Sequence, residues 1–321
     1  MSTQPAYGAE TTTDELLEGK DLSGKRVLIT GASAGLGAET ARALAAHGAN
    51  IVMAVRDLEK GERAAEPIRA GATAGATVEL IQLDLASLPS VRACANALLA
   101  EGTPLDVLIA NAGIMACPQG TTTDGFETQF GTNHLGHFVF VNRLVPLLLA
   151  GAPSRVVVLS SAGHRFSDVD LDDPGFEHTA YDPWVAYGRA KTANVLFAVA
   201  LDKRLRDRGV RACAVHPGGI RTELGRHLTP EAMATLMSRM PAGEAPAFKS
   251  IPAGAATTVW CAVIGGAADI GGRYCEDCGV GQSTDDPLAR SGIRSYATNP
   301  ARADALWARS EELVGERFPL H

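Results

Sequence analysis

The sequence lacks a basic field. Its 321 residues hold 29 Lys and Arg against 36 Asp and Glu, a net charge of −7, and no run rich in Lys or Arg. That balance excludes the electrostatic footprint of a nucleic-acid binder, since phosphate affinity needs clustered cations. Apolar runs long enough to cross a bilayer are also missing. The longest, Phe138 to Ala150, is broken by Asn142, Arg143 and Pro146, so no membrane partner is expected. The first twenty residues carry Glu10, Asp14, Glu15 and Glu18 and no apolar core, which argues against a signal peptide. Residues 1–20 are expected to form a flexible or loosely docked leader. The cysteines (Cys94, Cys117, Cys213, Cys261, Cys275 and Cys278) are scattered, without the density of a disulfide framework. A reducing cytoplasm is the expected location. Cys275 and Cys278 form a C-x-x-C pair, but one pair supplies two ligands and no second pair lies nearby. Buried thiols are the favoured reading, and no metal site is expected. Repeats, low-complexity linkers and composition shifts are absent too, so residues 21–321 read as one large domain.

What the chain does have is Thr30-Gly31-Ala32-Ser33-Ala34-Gly35-Leu36-Gly37. An apolar β-branched run, Arg26 to Ile29, precedes it, and an Ala- and Leu-rich helical stretch, Glu39 to His47, follows. A glycine-rich turn between a buried strand and a helix is where a dinucleotide pyrophosphate sits, against backbone N–H groups and the helix N-terminus. The glycines allow the tight turn, close approach of phosphates and close packing of helix on strand. By itself such a turn also suits a plain loop, so the rest of the chain has to decide.

Strand and helix alternate thereafter. Gly48–Val55, Val78–Leu83, Asp106–Ala110, Arg155–Leu159 and Val210–Val215 read as continuous apolar strands. Continuous rather than alternating runs mean parallel strands buried on both faces. Helices are expected after Asp57, after a Ser87 cap, over Asp124–Ala150 and from Asp182 to about Leu205, with a last strand near Arg273–Tyr274. The expected fold is α/β, a doubly wound Rossmann-type sheet of about seven parallel strands with helices on both faces.

Tyr187 and Lys191 stand four apart on a predicted helix and therefore share a face. A cation near a phenol favours phenolate and makes a tyrosine a usable acid or base. A tyrosine packed over a lysine stem is the competing reading. The strand end bearing Ser160-Ser161 just upstream favours the chemical one, because open α/β sheets bind ligands at the carboxyl ends of their strands.

These pieces together resemble a short-chain dehydrogenase/reductase. The matching elements are the glycine turn, Asp84-Leu85, Asn111-Ala112-Gly113, Asn133, Ser160-Ser161, Tyr187 with Lys191, and Pro217-Gly218 with Thr222. They occur in the family's order between residues 25 and 222. Val55-Arg56-Asp57, the long gap from Ser161 to Tyr187, and His216-Pro217-Gly218 with Arg221-Thr222-Glu223-Leu224 are most similar to the retinol-dehydrogenase-like and WW-domain-oxidoreductase-like branch.

The resemblance implies roles. Tyr187 would exchange a proton with the substrate oxygen, and Ser161, rather than Ser160, would hydrogen-bond that oxygen. Lys191 would hold the nicotinamide ribose and lower the Tyr187 pKa, and Asn133 would hold a water in a proton relay. Gly31, Ser33, Ala34, Gly35, Leu36 and Gly37 would cradle the pyrophosphate. Asp84 and Leu85 would meet the adenine, Asn111, Ala112 and Gly113 the adenosine side, and Pro217, Gly218, Ile220 and Thr222 the nicotinamide end. Where an acid would hold a ribose 2′-OH stands Val55, and Arg56 follows with a planar fork suited to phosphate; Asp57 is a dissenting carboxylate, expected to point to the helix that starts at Leu58. NADP is therefore favoured over NAD. The implied activity is hydride transfer between nicotinamide and a carbonyl or alcohol; a non-catalytic dinucleotide-binding scaffold or sensor is the alternative.

A substrate pocket is expected from Ile114, Met115, Phe166, Trp184, Leu224, Met233, Met237, Met240 and Phe248. Methionines and aromatics there suit a bulky apolar substrate, and equally a plain helix core. Residues 223–252, interrupted by Pro230, Pro241 and Pro246, are expected to form a lid. His164 stands close enough to Ser161 to reach a substrate, whereas His134, His137 and His216 read as structural. By the same resemblance a homodimer or homotetramer is expected, paired through the two long helices.

Overall fold

The computed structural model describes residues 7–238 and 248–320. Seven strands are parallel: β1 (Arg26–Thr30), β2 (Asn50–Val55), β3 (Val78–Gln82), β4 (Val107–Ala110), β5 (Ser154–Leu159), β6 (Val210–His216) and β7 (Tyr274–Glu276). An eighth, β8 (Gly279–Val280), runs antiparallel at one edge, and the order is β3-β2-β1-β4-β5-β6-β7-β8. The chain leaves β1 toward β2 on one side, and β4 later pairs β1 on the other, with Ile29 opposite both Met53 and Ile109. Crossovers diverge there and open a crevice above the strand ends.

The continuous apolar runs follow from burial on both faces. Leu28, Val156, Val158, Ala212 and Ala214 point into one core, and Val27, Ile29, Val157, Cys213 and Val215 into the other. The first core is closed by α4 (Leu88–Glu101), α6 (Gly136–Arg143), α8 (Pro183–Leu205) and α12 (Pro300–Val314), with Phe138, Phe197, Trp307 and Phe318 stacked edge to face. The second is closed by α2 (Gly35–Ala46), α3 (Leu58–Gly71) and α10 (Ile251–Val259). Ser87 caps α4 by accepting from Ser90 N–H, and Asp57 caps α3 by accepting from Lys60 N–H.

Four expectations change. The eighth strand arises because the C-x-x-C spacing is a hairpin: Glu276 pairs with Gly279, leaving Asp277 and Cys278 as a two-residue turn with φ of 49° and 56°. Both thiols of the pair are buried and unbridged. Residues 12–17 form a docked helical turn: Thr12 caps α1 (Thr13–Leu17) in a capping box, and Leu16 and Leu17 enter the second core. Burying each contributes about 1.5–3 kcal/mol, enough to hold one helical turn in place. Residues 1–6 lie outside the described residues. The helix expected over 124–150 is broken into α5 (Thr128–Phe130), a π turn (Gly131–Leu135), α6 and α7 (Val145–Ala150). Pro146 starts α7, and Gly136 N–H reaches back five residues to Gly131 carbonyl. Finally, the segment expected as a lid contains α9 (Pro230–Ser238), and α10 already starts at Ile251, capped by Ser250. Met240, Pro241 and Pro246 lie outside the described residues. A short α11 (Ala267–Ile270) leads into β7. Among the described residues, no helix is long and apolar enough to cross a membrane.

Candidate active site

The crevice above β1 and β4 continues into one cavity of about 2010 Å³. That exceeds the 300–1,000 Å³ typical of a single small-molecule pocket, leaving room for a dinucleotide and a second ligand. Its floor is the glycine turn. Gly31 and Gly35 have φ of +67° and +56°, which a side chain would strain. Gly37 is constrained by packing: a Cβ there would lie 2.5 Å from both Gly31 carbonyl and Asn111 Nδ2. The first residues of α2 keep unpaired N–H groups, because Ala34 at the N-cap offers no side-chain bond. Thr222 Cγ2 would stand 3.3 Å from a Cβ on Gly35, so the loop after β6 folds over this turn. The turn thus has the free donors, the cradle and the cover that a pyrophosphate requires.

Asn111 ties the turn to β4. Its Nδ2 donates to the Thr30 and Gly31 carbonyls at 2.8 and 3.3 Å. Ala112 and Gly113 continue along the cavity wall, and Ser33, Leu36, Asp84 and Leu85 line the same side. Asp84 turns part of its carboxylate back onto Ala86 N–H at 3.0 Å. At the end of β2, Val55 is buried and Arg56 is exposed at the cavity edge. Lys60 joins it there, paired with Glu223 across the cleft, a second cation that no sequence motif marks. Pro217, Gly218 and Ile220 line the opposite end.

β5 delivers Ser160 and Ser161 side by side with different partners. Ser160 Oγ donates to Lys191 carbonyl at 2.8 Å and locks α8 onto the strand. Ser161 Oγ accepts from Gly163 N–H at 3.0 Å, and its hydroxyl favours the phenolate form of Tyr187. Tyr187 and Lys191 lie one turn apart on α8, both buried and both at the cavity wall. Lys191 Nζ donates to Leu159 carbonyl at 3.1 Å and stands 5.7 Å from the Tyr187 ring centre.

The expected lowering of the tyrosine pKa is not what the geometry produces. Burial pushes the Tyr187 phenol up to about 12, against a smaller lowering by the Ser161 hydroxyl. Burial pushes the Lys191 ammonium down to about 8. Both groups lose water, and desolvation disfavours the charged form of each.

Asn133 is fully buried behind Ile114 rather than at the cavity wall. Its Oδ1 accepts from Ile114 N–H and its Nδ2 donates to Ile114 carbonyl, both at 2.9 Å. A Cβ on Gly113 would lie 3.2 Å from Asn133 Oδ1 and 3.5 Å from Lys191 Nζ, so both polar groups converge on that backbone.

The far end is apolar. Ile114, Met115, Phe166, Trp184, Leu224, Met233, Met237 and Phe248 all line the cavity, joined by Leu228, Leu236 and Leu288. Trp184 packs edge to face on Phe166 and on Tyr187. His164 does not face this space. It is buried, with Nδ1 donating to Ser161 carbonyl at 2.7 Å and Nε2 accepting from Arg294 N–H at 3.3 Å. Arg165 beside it donates to the carbonyls of Ala289, Arg290 and Gly292, holding residues 287–292 as a further wall. No local sequence signal marks that contact, which joins positions more than a hundred residues apart. Among the described residues no cluster of His, Cys, Asp and Glu could hold a metal ion.

Residues 25–232 match the family model of the short chain dehydrogenases. Human retinol dehydrogenase 13 is 41% identical over 302 residues, covering 93% of this chain and 87% of its own length. Human WW domain-containing oxidoreductase is 39% identical over 325 residues, covering 99% of this chain and 74% of its own. Among solved structures, an uncharacterized protein from Mycobacterium paratuberculosis superposes with a TM-score of 0.72 at 37% identity, over 97% of this chain and 99% of that one. Pseudomonas aeruginosa RhlG, solved as an NADP active-site complex, superposes with a TM-score of 0.62 at 25% identity, over 80% of this chain and 95% of that one.

Proposed function

The chain belongs to the short-chain dehydrogenase/reductase family, and from that premise we propose that it is an NADP-dependent oxidoreductase acting on a carbonyl or alcohol of a bulky apolar substrate. The carrying observation is that Ser161, Tyr187 and Lys191 meet at the wall of the same cavity whose floor is the glycine turn.

Bound nicotinamide supplies or takes the hydride. The protein handles the oxygen. A phenol with a pKa near 12 is protonated at neutral pH, the form that donates to an oxygen gaining charge as a carbonyl is reduced. The Ser161 hydroxyl is a second donor at the same place, fixed by its bond to Gly163 N–H. Lys191, with a pKa near 8, still carries its charge at pH 7 and favours phenolate after the proton leaves. Asn133 holds the Ile114 backbone from behind and keeps the wall rigid.

Arg56 supports NADP over NAD: it is exposed at the cavity edge just past β2, Val55 stands at the strand end, and the Asp57 carboxylate is engaged in capping α3. Lys60 adds charge beside it. NADP in a 25%-identical neighbour agrees with this choice. A bulky substrate is supported by the apolar far end, and α9, with Met233 and Met237 half exposed, is assigned as the lid. Buried, unbridged thiols support a cytoplasmic setting. A homo-oligomer through α6–α7 and α8 completes the reading by analogy.

The test is turnover of a panel of carbonyls and alcohols of rising apolar size, followed by nicotinamide absorbance with each cofactor. Reduction of the larger carbonyls with NADPH is expected. Tight cofactor binding with no turnover on the whole panel would support the scaffold instead.

A further inference from the structure

Thr30 ends β1 with a hydroxyl that three groups share. Asn111 N–H and Ala112 N–H donate to its Oγ1 at 2.9 and 3.0 Å. Those bonds take both lone pairs, so the hydroxyl proton must go elsewhere. The remaining neighbour is His137 Nε2, at 2.9 Å. Nε2 is therefore the ring nitrogen with the lone pair. At the other side of the ring, Nδ1 lies 3.0 Å from the carbonyl oxygen of Asn133, which can only accept. Both ends of the imidazole demand one state: neutral, with its proton on Nδ1. A second ring proton would face a hydroxyl with no acceptor left, in a fully buried site.

The two ends of this bridge matter for different reasons. Thr30 sets Asn111 and Ala112, and Ala112 lies against the glycine turn, 2.8 Å from where a Gly31 Cβ would be. Asn133 belongs to the π turn, whose five-residue bonds shift its side chains out of ordinary helical phase. Its carboxamide fixes Ile114 and converges with Lys191 on Gly113. No main-chain ladder joins the π turn to β1; His137 is the side chain that spans them.

We infer that His137 is a positioning residue: as a single neutral tautomer it holds the Asn133 π turn in register with the end of β1, and so fixes the spacing between the cofactor floor and the catalytic wall. This rests on the proposed hydride transfer only for its effect on turnover; the tautomer itself does not.

The first measurement is nitrogen-15 NMR of the full chain labelled at histidine, with His137→Gln identifying the resonances. The expected result is a His137 ring protonated on Nδ1 alone, unchanged from about pH 8 to about pH 5.5. Thr30→Val removes the donor to Nε2 and should move the Nε2 resonance while the Asn133 carbonyl keeps the proton on Nδ1, and Thr30→Ser, which keeps the hydroxyl, should restore the original Nε2 position. A ring protonated on Nε2, or one that titrates across this range, overturns the proposal. The second measurement is a kinetic cycle. His137→Phe and Asn133→Ala should each lower kcat about tenfold, with cofactor KM changed less than about twofold, and the double variant should be no slower than the slower single one. Losses that multiply would overturn the route through Asn133. Should His137→Phe fail to fold, Thr30→Val with Asn133→Ala closes the same cycle. Lack of any turnover in the unaltered protein would count against the oxidoreductase reading, while the tautomer would still decide the positioning role.

Discussion

Trp184 Nε1–H donates to the carbonyl of Ala232 at 2.9 Å, joining the first turn of α8 to the first turn of α9. The same indole packs against Tyr187. Among the described residues, α9, the proposed lid, is tied to α8 by this hydrogen bond and by Leu236, with Leu228 just before α9, resting on the Trp184–Tyr187 cluster, while α9 itself buries no residue completely. An element held by so few contacts opens easily. Trp184→Phe keeps an aromatic ring and removes the donor, a loss of about 0.5–1.5 kcal/mol. Amides of residues 231–237 are expected to exchange about three- to tenfold faster in the variant, read by hydrogen exchange. Unchanged exchange there would mean that apolar packing alone secures α9.

Tyr187→Phe removes the proposed proton donor and leaves the ring that packs on Trp184 and Gly163. Turnover should fall about 10²-fold or more with cofactor affinity nearly unchanged, as loss of a general acid requires. Steady-state rates and a cofactor titration on the same preparation separate the two. Activity retained in this variant would remove Tyr187 from the proton-transfer step.

The parts of this site that the sequence displays are those carried by strand ends. The glycine turn, Asp84, Asn111, Ser161 and Pro217 each follow an apolar run, and the parallel sheet brings those run ends to one crevice. Tyr187 and Lys191 were legible through helical spacing read together with the Ser160-Ser161 strand end upstream. What stayed hidden depends on distant partners. The π turn at Gly131–Leu135 has helical composition, and nothing local distinguishes five-residue from four-residue bonding. The packing of Gly136 against Leu85, whose carbonyl would lie 2.5 Å from an added Cβ, becomes visible only once the helix is docked. The Cys275–Cys278 hairpin hides because spacing cannot separate a two-residue turn from a ligand pair. The sign of the Tyr187 shift was missed because a nearby charge is readable in sequence and complete burial is not.

Arg56→Ala tests the cofactor choice. A charge-assisted bond to a 2′-phosphate is worth about 1.5–3 kcal/mol, so NADP affinity should drop about ten- to 150-fold while NAD affinity moves far less. Lys60 would blunt the loss if its Glu223 pair opens, and Arg56→Ala with Lys60→Ala should then exceed the single variant for NADP only. Calorimetric titration with both cofactors provides the comparison. Equal weakening of NADP and NAD would show that Arg56 does not meet the 2′-phosphate.

Acid stability follows from three buried imidazoles, His134, His137 and His164, and a fourth, His216, half-buried at the cavity wall. Burial lowers His134 and His216 to about 3, and His137 and His164 to about 4, from an ordinary 6.5. Their bonds agree with neutral rings: His164 Nε2 accepts from Arg294 N–H, and His216 Nδ1 accepts from Ala162 N–H at 3.2 Å. Between about pH 6.5 and pH 4 the unfolded chain takes up protons that the folded chain refuses. The unfolded state therefore binds more protons in that window, and stability rises with pH through it and is lost as pH falls. Each such ring contributes a slope of about 1.4 kcal/mol per pH unit. Glu127 and Glu276, raised by burial, act in the opposite sense, but the histidines outnumber them. Urea unfolding at about pH 7 and about pH 5 should show a loss of several kcal/mol, with unfolding at the lower pH accompanied by net proton uptake. His134→Phe, which fills a site lined by Phe130, Phe138 and Phe197 with a ring that cannot take a proton, should flatten part of that slope. A stability profile that stays level from pH 7 to pH 5 would mean that the fold accommodates charged rings at these positions.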